Sequence, residues 1–358
     1  MPLVAPGSPV ERARTLADEL MRPAAESVDR TVVPRSHVDA WARAGLLGLA
    51  GPPSHGGGGT PAPVVREVTE VLAGACGATW FVTAQHATPL AALTASGNAA
   101  LRDRWLPGLC SGEVLAGVGV AQLRRPGPPA VTATRVDGGW RFDGHVGWLT
   151  SWGLCDVLLL GGASPDGRTV LVLLPARETD GLTASEPLAL AVMSATGTVA
   201  LDLDGLLVAD EDVVDVQPTG QWLAADAAKT ANVGPHTFGL QREAMRRLDD
   251  TAARRGDATA AALAQQLGRE GDRLRRVAYV LMDDVPAQEQ LDDRLAVRAA
   301  ALDLSVRATT ALVAATGGRA MALDAAPQRL AREAVFHLVQ AQTAPVREAT
   351  LQLLRDVS

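Results

Sequence analysis

The chain has 358 residues, 47% of them hydrophobic, and a formal charge of −7 at neutral pH. That length and apolar content suffice for two or three packed subdomains, and the acidic balance argues against a nucleic-acid or anionic-membrane surface, which needs clustered positive charge. No uninterrupted apolar run reaches bilayer-spanning length and Met1-Pro2-Leu3-Val4 does not lead into a secretory apolar region, so a cytoplasmic protein that binds neither membrane nor nucleic acid is expected.

From Pro9 to Pro107 apolar residues recur at helical spacing, predicting helices over Val10 to Met21, His37 to Leu47, Val64 to Leu72, Thr79 to Leu93 and Ala99 to Leu106. The glycine run from Pro52 to Gly59 has neither a preceding strand nor a Gly-Lys-Ser/Thr ending, so it reads as a connecting loop rather than a phosphate cradle. Three cysteines, Cys76, Cys110 and Cys155, are widely spaced among small or apolar residues, which predicts buried thiols rather than bridges or a metal site.

Between Gly117 and Val214 the pattern turns to short β-branched runs. Val131 to Val136 leads through Asp137-Gly138-Gly139 into Trp140-Arg141-Phe142, and Val157 to Leu160 and Thr169 to Leu174 flank Asp166-Gly167, both hairpin signatures. Val199 to Leu203 alternates like a half-buried strand. Beyond Thr219 longer helices return: Leu263, Leu267, Leu274, Val277 and Leu281 are assigned to one helical face, and Leu291, Leu295, Leu302, Val306 and Val313 to another. Thr316-Gly317-Gly318 stops the second. The expected fold is α+β, mostly α: an N-terminal helical domain (1–113), a middle antiparallel β-domain (114–216) and a C-terminal antiparallel four-helix bundle (217–358).

Three segments carry chemistry. Trp148-Leu149-Thr150-Ser151 ends a strand with an indole and a hydroxyl; Thr316-Gly317-Gly318-Arg319-Ala320 offers open backbone; Arg332 to Thr343 closes in Ala341-Gln342-Thr343. Set in this order of layers, they resemble segments of the acyl-CoA dehydrogenase superfamily, and the resemblance covers nearly the whole chain. It implies FAD, with FMN possible, an acyl or acyl-thioester-like substrate, an electron acceptor or O2, and homodimers or homotetramers formed through the bundle. Trp148 and Thr150 are then flavin contacts. Ala121, where relatives place Thr or Ser, and its neighbour Gln122 end the first strand beside the ring. Gly317, Gly318 and Thr343 are further implied cofactor contacts, and Arg254-Arg255-Gly256 retains the Arg of a pyrophosphate motif without its Phe-Gly.

Dehydrogenation of a thioester needs a carboxylate facing the substrate α-carbon. The resemblance puts Ala341 at that Glu position, and the alternative position falls close to Lys229, which leaves Asp226, almost one turn earlier, as a candidate base. His86 and His337 are candidates for oxygen chemistry or proton transfer, since imidazole donates or accepts near neutral pH. Arg332 and Glu333 are expected to pair with each other or to support a subunit contact. Three readings follow: a dehydrogenase-type flavoenzyme lacking its usual base, a flavin monooxygenase or oxidase, and a degenerate subunit or binding scaffold.

Overall fold

The computed structural model describes residues 7–356, so Met1-Pro2-Leu3-Val4 lies outside the described residues. Helix α1 (Pro9–Leu16) starts where Ser8 and Glu11 close a capping box, the Glu11 carboxylate accepting the Ser8 amide at 2.8 Å. It runs through a π-helical turn, Ala17–Met21, into α2 (Arg22–Arg30), followed by α3 (Arg35–Arg43) and α4 (Ala62–Ala75). The helix expected over Thr79 to Leu93 is in fact two, α5 (Gly77–Ala84) and α6 (Ala87–Ala95). Pro89 explains the break, because a continuous helix there would need the amide hydrogen that proline lacks. The layer ends with α7 (Ala99–Ser111), capped by the Asn98 side chain, which accepts the Leu101 amide at 3.1 Å.

Eight strands follow: β1 (Ala116–Gly119), β2 (Val131–Val136), β3 (Gly139–Leu149), β4 (Val157–Ala163), β5 (Arg168–Pro175), β6 (Leu182–Ala184), β7 (Val199–Ala209) and β8 (Val213–Pro218). They form one sheet in the order β6-β7-β3-β2-β4-β5-β8, with β1 beside β4. Both predicted hairpins are present. The expectation of a wholly antiparallel sheet is corrected at two places: β1 and β2 each pair with β4 in parallel, because the chain reaches β4 from both by crossing over rather than by a tight turn. One face of the sheet encloses Phe142, Leu158, Leu160 and Leu201, and the other packs Leu159, Leu171 and Leu173 against Leu90, Leu93 and Leu109 of the helical layer.

The C-terminal layer holds α8 (Thr219–Thr230), α9 (Pro235–Arg255), α10 (Ala258–Asp284), α11 (Leu291–Thr316), α12 (Ala326–Val339) and α13 (Ala344–Asp356). Helices α9 to α12 make the bundle, and α13 lies along α11. Gly256, at φ 64°, ends α9 in the left-handed conformation, and the Asp257 side chain caps α10 through the Ala260 amide at 2.9 Å. The buried seam of α10 is Ala260, Ala264, Leu267, Gly271, Leu274, Ala278 and Leu281, alternating steps of four and three. Leu263 and Val277, expected on that face, are exposed at its edges.

The N-terminal layer docks on the bundle where α4 crosses α9. Gly239 sits so close that a Cβ on it would lie 2.2 Å from the Glu70 carbonyl oxygen, and one on Gly74 would lie 2.6 Å from the Gly239 carbonyl oxygen. Beside this crossing the buried Glu70 carboxylate accepts hydrogen bonds from Arg242 (2.6 Å), Arg275 (2.7 Å) and Tyr279 (2.5 Å).

Candidate functional site

Strand β3 sends Leu149 into the sheet core, fully buried, and Trp148 to the opposite side, where the indole is 50% exposed. Trp148 therefore does not fill the core of the sheet, although it is a large apolar ring. Thr150 follows, buried, with its hydroxyl 3.0 Å from the Thr198 hydroxyl, which lies 2.9 Å from that of Thr196. Ser151, at φ 70°, ends the strand.

After β1 the chain makes a short 3-10 turn, Ala121–Arg124. Ala121 faces solvent, and Gln122 is buried. The Gln122 amide nitrogen donates to the carbonyls of Gly119 (2.9 Å) and Gly161 (2.7 Å), whereas its Oε1 is buried with no partner among the described residues. A buried acceptor left unpaired costs about 1–3 kcal/mol, so a group that donates to it is favoured there.

The same turn presents Arg124, which grips Asp226 on α8 through two bonds of 2.8 Å. Both carboxylate oxygens are thereby committed to a guanidinium, in the bidentate geometry that holds such pairs most firmly. Asp226 is a bridge between sheet layer and bundle, and the expectation that it points freely toward a substrate is corrected.

His86 is also fully occupied. Its Nε2 donates to the Leu109 carbonyl at 3.0 Å, and its Nδ1 accepts the Ala116 amide at 3.1 Å. Burial pushes the imidazole down to about 4, so it is neutral at physiological pH. The ring ties α6, α7 and β1 together and has no nitrogen left for a ligand, which corrects its candidacy for proton transfer.

His337 differs. It is 2% exposed on α12, with a buried Nδ1 that has no partner among the described residues. Its ring meets His236 edge-on at 4.6 Å, and His236 stacks on Trp80 at 4.4 Å. One turn beyond His337, Gln340 ends α12 and Ala341 takes φ 49°, an uncommon conformation for a residue with a Cβ. The buried Arg298 of α11 donates to the Gln340 carbonyl at 2.8 Å and to the Thr230 carbonyl at the end of α8. Thr343 opens α13, its carbonyl accepting the Arg347 amide at 2.9 Å. Arg298 and His236 carried no signal in the sequence, since each meets this cluster only through the packing of separate helices.

At the far end of the bundle, two sequence-distant segments meet. Arg254 and Arg255 at the end of α9 line a groove of about 780 Å³ together with Thr316 and Arg319. Arg255 donates to the carbonyls of Ala315 (2.6 Å) and Thr316 (2.8 Å), so it caps α11, while Gly317 at φ 73° opens the backbone and neither Gly317 nor Gly318 has an atom within 4 Å of a notional Cβ. Arg246 and Arg247 extend this cationic wall, opposed by Asp250 and Asp324.

The expected pairing of Arg332 with Glu333 does not occur. Arg332 reaches Asp29 of α2, and Glu333 pairs with Arg329 at 2.7 Å. Adjacent residues on a helix point in different directions, whereas residues four apart share a face.

Residues 9–113 match the family described as Acyl-CoA dehydrogenase, N-terminal domain. Benzylmalonyl-CoA dehydrogenase of Aromatoleum aromaticum is 27% identical over 205 residues, 54% of this chain and 53% of that protein. The match spans about half the length of the curated relatives. Butyryl-CoA dehydrogenase from Megasphaera elsdenii superposes with a TM-score of 0.80 at 16% identity, over 97% of both chains. Dibenzothiophene monooxygenase from a Paenibacillus species superposes with a TM-score of 0.77 at 19% identity, again over 97% of both. Among the described residues no helix is long and apolar enough to cross a membrane.

Proposed function

We propose, from the match of residues 9–113 to the acyl-CoA dehydrogenase N-terminal domain and from the shared fold, that the chain is a flavin-dependent oxidoreductase acting on an acyl thioester or a related carbonyl compound. The observation that carries this reading is the half-exposed indole of Trp148, set at the end of β3 where a large apolar ring has no core to fill. The unpaired Oε1 of Gln122 fits the same cofactor, because a flavin ring carries an imide N–H. Trp148 is assigned to cover one edge of the ring, Gln122 to accept from it, and the backbone of Ala121 and Thr150 to fix its plane. Gly317, Gly318, Arg254 and Arg319 are assigned to the phosphate and adenosine end of an FAD, which favours FAD over FMN; Thr343 is assigned to the cofactor as well.

When bound, the flavin supplies a ring that takes up or returns a hydride equivalent. The protein's own contribution is positional. Arg124 and Asp226 hold the loop after β1 against α8, and Arg298 fixes the turn that carries Ala341. Ala341 offers a methyl group at the position where the resemblance expects a base, and a methyl group accepts no proton.

A second reading, a monooxygenase or oxidase of the same fold, is favoured by one observation: Asp226, the carboxylate nearest in the sequence to a base position, has both oxygens bound to Arg124. Such a reaction with O2 needs no α-carbon base. Val335 and Val339, exposed one turn apart on α12, offer apolar surface for a homodimer or homotetramer.

The test is flavin absorbance of the purified protein, followed by titration of FAD into wild type and Trp148→Ala. Uptake that weakens about tenfold in the variant supports the assignment. A colourless protein that takes up no flavin overturns it in favour of a binding scaffold. Dye reduction by acyl thioesters, run beside oxygen consumption with reduced flavin, then separates the two enzymatic readings.

A further inference from the structure

Next to the Ala341 turn lies a buried polar cluster whose members are not satisfied by the protein. Arg298 is 5% exposed and forms no ion pair among the described residues. A guanidinium has five N–H donors, and Arg298 uses two, toward the carbonyls of Thr230 and Gln340. Among the described residues His236, 8% exposed, makes no hydrogen bond and the buried Nδ1 of His337 has no hydrogen-bond partner. His236 of α9 and His337 of α12 meet against the Trp80 ring of α5, with centroid distances of 4.4 Å from Trp80 to His236 and 4.6 Å from His236 to His337, and Arg298 of α11 lies within electrostatic reach of both histidines. Buried polar groups are almost always paired, and several unpaired ones meeting at one point need a physical account.

The charge around the cluster has one sign. Arg298 lies within electrostatic reach of Arg124, which lies within reach of Lys229, and the carboxylate that acts on Arg124 and Lys229 is Asp226, already gripped by Arg124. Burial, His337 and Arg298 hold His236 well below its ordinary range, and burial and Arg298 push His337 down to about 3. Both imidazoles are therefore neutral, each with one N–H to give. A buried guanidinium with idle donors and two neutral imidazoles beside it match a carboxylate, which accepts at several positions and cancels the excess charge.

We propose that Arg298, with His236 and His337, binds a carboxylate group of the substrate next to Ala341, so that the preferred substrates are acyl thioesters bearing a second, anionic carboxylate. This rests on the reading of the site as one for acyl thioesters. Arg298 then does two things: it positions the Gln340–Ala341 turn and it selects charge. The second role is what separates the proposal from a merely structural arginine.

The experiment compares the succinyl and butyryl thioesters of coenzyme A, equal in carbon count, by calorimetric titration of the flavin-loaded protein. The succinyl thioester is expected to bind at least tenfold more tightly. Arg298→Gln is expected to abolish that ratio, any loss of turn positioning weakening both thioesters alike, and Arg298→Lys to retain part of it. Equal affinities in the wild type, or an unchanged ratio in Arg298→Gln, overturn the proposal. If Arg298→Gln does not fold, His337→Phe, which keeps a ring in the core, serves as the second variant and is expected to reduce the ratio severalfold; an unchanged ratio again overturns it. Failure of both thioesters to bind defeats the functional reading, and the cluster is then tested with succinate alone. Displacement of the His236 and His337 ring resonances in wild type, lost in the Arg298 variant, supports carboxylate binding; unmoved resonances overturn it.

Discussion

Arg124 and Asp226 face each other in a fork, Nε to Oδ2 and Nη2 to Oδ1, each at 2.8 Å, and this pair joins the turn after β1 to the helix that leads into the bundle. Asp226→Asn keeps the shape, removes the charge and leaves Arg124 without its counter-ion in a half-buried position. The expected cost is about 2 kcal/mol of stability, read from chemical denaturation. Turnover of a thioester substrate should fall by less than about tenfold, since no proton passes through an engaged carboxylate; a loss of about a thousandfold or more would reinstate Asp226 as the base.

Arg319 lines the groove at the end of α11 and makes no ion pair among the described residues. Arg319→Glu places a negative charge where a pyrophosphate is assigned. Retention of FAD is expected to weaken about tenfold, while binding of FMN, which lacks the second phosphate and the adenosine, stays the same. Equal weakening of both would remove the groove from the cofactor site. The comparison is made by fluorescence titration of the two flavins.

Glu70 is fully buried, and its carboxylate collects two arginines and the phenol of Tyr279. In Glu70→Gln one oxygen becomes a donor facing other donors. Arg242 is half exposed and regains water, so the expected loss is about 3 kcal/mol, toward the lower end for a broken buried pair. Urea unfolding of wild type and variant measures it.

The folded value of His86, about 4, lies below the ordinary 6.5, so the unfolded chain takes up the proton first as the solution is acidified. Its contribution is complete above about pH 6.5 and is lost as pH falls toward 4, amounting to about 3 kcal/mol over that window. Stability of wild type followed from pH 7 to pH 4 should fall more steeply than that of His86→Gln, which does not titrate there. Parallel slopes would contradict the assignment.

Much of the fold was legible because its elements have local signatures. The Asp137-Gly138 turn follows the alternating run of β2, whereas β4 and β5 around Asp166-Gly167 are continuous apolar runs buried on both faces, legible from their length and the turn between them. On α10 Leu267, Leu274 and Leu281 lie in the seam as expected, but Leu263 and Val277 do not, and the seam is completed by Ala260, Ala264, Gly271 and Ala278, whose small side chains let neighbouring helices approach. Of the candidate site, Trp148 was singled out by the resemblance of Trp148-Leu149-Thr150 to a flavin-facing segment, with filling of the sheet core as the alternative, and its indole is half exposed. Arg298 and His236 were not, because one is an arginine among many on a long helix and the other joins His337 only after roughly a hundred residues of intervening chain have packed. His86 was visible as a residue but not as a clamp, since both of its bonds go to backbone atoms of other elements.

The glycine contact between α4 and α9 constrains how the molecule can breathe. With main chain resting on main chain at Gly74 and Gly239, the two helical layers cannot close further at this point, and a side chain larger than hydrogen at either position would wedge them apart.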